Sequence, residues 1–129
     1  MSFILVPSHG EDIKVNAWNW RSTLELLRVE NLVRGEDFER MGSSGSGAKV
    51  DAELALRIAA VIERKHAVSQ SGQRMLADLS VTSSPKKKVI FTPETKPEEF
   101  DSNDLYSATY EWLEIFRDFC KRSGGFEVM

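Results

Sequence analysis

A chain of 129 residues with 41% apolar and 29% charged side chains has the size and composition of one globular domain, long enough to bury a core without a disulfide or a structural metal. Its 17 basic and 20 acidic residues are spread along the chain and leave a net charge of −3, which argues against a phosphate backbone, and so against nucleic acid, as the main partner. A lone cysteine excludes an internal disulfide, and the opening MSFILVPSHGEDIK has neither a basic start nor more than four apolar residues in a row, so no signal peptide or membrane span is expected and the cytoplasm is the expected compartment.

The apolar run Phe3, Ile4, Leu5, Val6 is closed by Pro7 and a turn-rich SHGED segment, after which Ile13, Lys14, Val15 and Asn16 alternate. This predicts a small N-terminal hairpin. A helix follows to about Val33, started either by a capping box at Ser22 and Glu25 or by an earlier cap at Asn16 or Asn19. Trp20, Leu24 and Leu27 share one of its faces, and Leu26, Val29 and Val33 another, so its apolar arc is broad. Gly35 is read as its stop, and residues 36–41 as a short second helix with acids at its start and Arg40 near its end.

Three glycines within residues 42–47 (GSSGSG) predict a flexible or tightly turned connection. From about Val50 the spacing of Leu54, Ile58, Val61, Ile62 and Lys65 makes the clearest amphipathic helix of the chain, with Asp51 and Glu53 at its start and Arg64, Lys65 and His66 at its end. Residues 79–92 read as a second hairpin turning at Ser83–Lys86, residues 93–99 (PETKPEE) as an acidic linker, and residues 102–123 as a final helix capped by Asp101 or Ser102. Leu105, Thr109, Trp112, Phe116 and Phe119 would line that helix, with Tyr106, Tyr110, Leu113 and Cys120 beside them. Lys121 and Arg122 suit its C-terminal end, Gly124 or Gly125 its left-handed stop, and Phe126 and Val128 would fold back on its last turn.

Chemistry is harder to find. The glycine-serine loop lacks the Gly-Lys-Ser/Thr ending of a phosphate loop. His9, His66 and Cys120 lack metal-ligand spacing, so no metal and no cofactor are expected. Cys120 on an aromatic face reads as a small buried hydrophobe; the alternative is a small enzyme or ligand-binding protein in which folding brings a histidine to that thiol. The carboxylate pairs Glu98/Glu99, Asp101/Asp104 and Glu111/Glu114 sit in solvent-like settings, and Lys86, Lys87 and Lys88 form a short basic cluster suited to an acidic partner. Trp18, Trp20 and Arg21 are the candidate partner-binding residues, because tryptophans two positions apart on a helix cannot share one face and Trp and Arg are enriched at binding hot spots; the alternative is that a strand-to-helix junction buries both tryptophans in the core on opposite sides.

The run W-N-W-R-x-T-L-E-L-L from Trp18, the V-x-x-E-x-A-x-x-I-A helix from Val50 and the ending W-L-x-x-F-x-x-F-C-x-x-S-G-G-F together resemble small uncharacterised bacterial proteins. That resemblance implies a bacterial cytoplasmic origin and, by analogy of class alone, a role like that of immunity proteins; it assigns no site residue. The expectation is therefore a single domain over residues 1–129, mostly α, with three main helices around one core and one or two short hairpins, acting as a non-enzymatic protein-binding module.

Overall fold

The computed structural model describes residues 2–43, 45–76, 78–83 and 107–129. Strand β1 (Ser2–Pro7) pairs antiparallel with β2 (Ile13–Asn16), placing Phe3 opposite Val15 and Leu5 opposite Ile13. The N-terminal hairpin read from the alternation is present.

Helix α1 (Ala17–Val29) starts at Asn16, whose side chain accepts the Asn19 N–H at 2.8 Å. The Ser22–Glu25 spacing is therefore internal to the helix, and Ser22 serves another purpose: fully buried, its hydroxyl reaches the carbonyls of Met75 at 2.8 Å and Leu76 at 3.0 Å. The helix stops before Val33. Asn31 takes the left-handed conformation at φ 59°, its N–H bonds Arg28 O, and the Leu32 N–H reaches back to Leu27 O, which satisfies the carbonyls of the last turn. Gly35, with φ 62°, instead precedes α2 (Glu36–Met41).

Strand β3 (Ala48–Val50) leads into α3 (Ala52–Ala67), capped by Asp51 through the Leu54 N–H at 2.8 Å. Then come β4 (Arg74–Leu76), β5 (Val81–Thr82), β6 (Ser107–Thr109), α4 (Tyr110–Ser123) and β7 (Phe126–Val128). Two antiparallel sheets result, ordered β2-β1-β7-β3 and β5-β4-β6.

Helix accounts for 48% and strand for 23% of the described residues, so the fold is an α+β mixture and the expectation of a mostly α protein is wrong. Strands of two or three residues show too little alternation to be recognised, and their partners are distant in sequence. Three local expectations meet these strands. Val81–Thr82 pairs with Arg74–Leu76, whereas the return strand proposed near Val89 lies outside the described residues, as do the Lys86–Lys88 cluster and the 93–99 linker. The final helix begins at Tyr110, because Ser107–Thr109 pairs with β4 and the Thr109 hydroxyl accepts the Trp112 N–H at 3.1 Å as the true cap; Asp101 and Ser102 lie outside the described residues. Gly124, at φ 68°, does stop that helix, and Phe126 does fold back on it, its ring 5.3 Å from that of Phe119, while Phe126 and Val128 also form a strand between β1 and β3.

One core lies between the four-stranded sheet and the helices. Phe3, Leu5, Val15, Phe126 and Val128 turn inward from the sheet and meet Trp20 and Leu27 of α1, Ile58 and Ile62 of α3, and Phe116 and Phe119 of α4. Trp20 is its hub, with ring centroids 5.5 Å from Phe116, 6.2 Å from Phe3 and 6.5 Å from Trp112. Each such side chain contributes about 1.5–3 kcal/mol by burial. Helix α1 also ties the core to the smaller sheet, through Ser22 on the β4 carbonyls and through Asn19 Oδ1, which accepts the Thr109 N–H at 2.9 Å. A buried relay completes the junction: the Trp112 indole N–H donates to Thr23 Oγ1 at 2.9 Å, and the Thr23 hydroxyl donates to Asn19 O at 2.8 Å. Among the described residues no helix is long and apolar enough to cross a membrane.

Candidate functional site

The three residues singled out for partner binding separate in the fold. Trp20 is 1% exposed and its indole N–H is taken by Met41 O at 2.7 Å, so it belongs to the core. Trp18 is half-buried and Arg21 exposed on the first turns of α1. That patch is thus reduced from three residues to two.

Cys120 is buried at 1% exposure, and burial pushes its thiol well above the ordinary range. A group held neutral and shut from solvent is poorly suited to nucleophilic attack. His9 sits in the β1–β2 turn against Gly124, while His66 lies on the last turn of α3, its ring stacked on Tyr110 at 4.0 Å between centroids. His66 Nδ1 is 3.4 Å from Arg117 Nη1. A guanidinium only donates, so Nδ1 is the acceptor and the ring proton belongs on Nε2. That Nε2 is sealed from solvent without a hydrogen-bond partner, and the nearest carboxylate, Glu114 Oε2, stands 3.9 Å away, beyond hydrogen-bond range. The cluster of His66, Tyr110, Glu114 and Arg117 stitches α3 to α4, with His66 Nε2 closed to solvent. Among the described residues no three His, Cys, Asp or Glu side chains gather as metal ligands.

A different surface stands out. The side chains of the four-stranded sheet that do not enter the core point to the opposite face, where Ser2, Ile4, Lys14 and Lys49 are exposed and Val6 and Glu127 half-buried. Ile4 is opposite Lys14 on β2 and, through the Met129 N–H to Ile4 O bond at 2.8 Å, beside Met129. In the next row Val6 lies opposite Glu127, and Glu127 opposite Lys49. Ile4 is 36% and Met129 43% exposed, Val6 is half-buried, and Lys14 and Lys49 are exposed on the two edge strands. The outer face is therefore an apolar centre with a cation at each side. The other large exposed apolar residues, Val29, Leu56, Val68 and Ile115, sit on different helices or just after one, so they do not form a row.

Sequence reasoning missed this face, although half of its signal was legible. The alternation in β1 and β2 implied an outward set with Ile4 and Lys14; the outward positions of β3 and β7 became visible only with the pairing. No family model, curated protein or solved structure matches this chain.

Proposed function

We propose that this protein is a small, non-enzymatic protein-binding domain of the bacterial cytoplasm, and that its partner docks on the outer face of the four-stranded sheet. The observation that carries the reading is the adjacency of Ile4 and Met129, both substantially exposed, on the central strands of a sheet whose other face lines the core. Apolar side chains contiguous in one row are the pattern of an interface centre, whereas single exposed ones are ordinary. Burial of the thiol supports the absence of Cys120 chemistry, and a chain with one cysteine relies on no internal disulfide.

The test is a capture from the native cell followed by titration of the identified partner, purified, against wild type, Ile4→Glu and Arg21→Ala. Ile4→Glu should weaken binding at least tenfold while Arg21→Ala leaves it within twofold. The reverse pattern would move the interface to the Trp18–Arg21 surface, and equal binding by all three proteins would remove both.

A further inference from the structure

The outer face specifies more than an apolar partner, because its charges are placed unevenly. Lys14 and Lys49 occupy the two edge strands, β2 and β3, and neither forms an ion pair within the described residues. The strand registers put Lys14 in the row of Ile4 and Met129, and Lys49 in the next row with Val6 and Glu127. Three strand spacings of about 4.8 Å and a two-residue offset of about 6.8 Å set the two lysine positions about 16 Å apart on a diagonal. Between them lie Ile4, Met129 and Val6, and Glu127 stands on β7 between Val6 and Lys49.

We infer that the partner is a protein segment with an apolar centre flanked by two carboxylates spaced about 16 Å apart, a step that rests on the docking reading above. Each lysine reaches one flanking carboxylate. Glu127 disfavours a third acid over the middle and so reinforces an apolar centre. An extended segment spans this distance in about five residues, which makes a short linear peptide with acids at both ends and apolar residues between them the simplest occupant. The attraction falls with salt, since both lysines are exposed.

A displayed library of random 12-residue peptides, selected on the full chain at low salt, is the probe. Enriched peptides should carry the acid–apolar–acid pattern, should bind at least tenfold more weakly to Ile4→Glu and to the doubly substituted Lys14→Glu/Lys49→Glu protein, and should weaken from 50 to 500 mM NaCl. The charge-reversed protein, checked for an unchanged urea midpoint, should itself select peptides with Lys or Arg in place of the acids. Peptides that need Ile4 but lack acids and bind the charge-reversed protein as well as wild type would overturn this inference while leaving the docking face standing. Peptides indifferent to Ile4→Glu would overturn both. An empty selection, or self-association abolished by Ile4→Glu, counts against the acidic segment, the latter assigning the face to a second copy of the chain.

Discussion

Gly125 links the end of α4 to β7, and Gly125→Ala is the substitution that most sharply tests how these elements meet. The residue has φ 106°, and a Cβ there would lie 2.7 Å from Val50 O and 3.2 Å from the Ala52 nitrogen. Both neighbours are backbone at the β3–α3 junction, so no side-chain rotation relieves the contact. Its own carbonyl accepts the Ser8 N–H at 3.0 Å, which resists a compensating shift on the other side. Backbone strain of about 1–3 kcal/mol adds to overpacking of about 1–3 kcal/mol, for an expected loss of about 4 kcal/mol. Gly35→Ala is the control for backbone strain alone, because Gly35 has φ 62° and ψ −133°, a conformation that favours glycine, yet a Cβ there meets nothing within 4 Å; only strain of about 1–3 kcal/mol applies. With a urea m-value of about 1.5 kcal/mol/M, the midpoint should fall by about 2.5 M for Gly125→Ala and about 1 M for Gly35→Ala. Equal midpoints for the two variants would refute the close approach of β7 to the β3–α3 turn.

Further outcomes follow from Ser22, Cys120 and His66. Ser22→Ala removes the donor shared by two β4 carbonyls and should cost about 1–3 kcal/mol, read as a lower melting temperature; an unchanged value would mean that α1 is not tied to the smaller sheet in this way. Cys120 should resist thiol labelling until the protein is denatured. Because its folded-state pKa is raised, both states keep the proton at neutral pH, and above about pH 9 only the unfolded chain loses it, so stability should fall by about 1.4 kcal/mol per pH unit there. Cys120→Ala should remove that part of the slope, which parallel urea titrations would detect. His66→Phe keeps the stack on Tyr110 and eliminates the unpartnered Nε2, so its urea midpoint should match or exceed that of wild type, while His66→Ala should lower it.

What could be read from the chain in advance followed the range of the signal. Helix α3 and its Asp51 cap were legible because both the periodicity and the capping residue are local, and the same holds for the Gly124 stop. The β1–β2 hairpin was legible through alternation. Ser22 misled because its hydroxyl and Glu25 imitate a cap, while the hydroxyl in fact answers carbonyls 53 and 54 residues away. Thr109 fitted the helical stripe of Trp112 and Phe116, yet its backbone pairs with Arg74 and its side chain starts the helix. Phe126 and Val128 looked like a tail because nothing near them announces a partner. The outer face of the sheet inherits that gap: Ile4 and Met129 become neighbours only across nearly the whole chain.

The position of β7 also constrains how the molecule assembles. It is the last strand in sequence and lies between β1 and β3, which have no other connection within the sheet. Until residue 128 has been synthesised and docked, one edge of β1 has no partner, Leu5 lacks its neighbour Val128, and β3 is a strand with no neighbour. Closure of so long a loop comes before the contacts that repay it, which makes β7 docking the expected slow step of folding. A chain cut after Ser123 would retain every helix described above and still lack the seam that joins its sheet, leaving its apolar lining open to other chains during the interval in which it is most vulnerable.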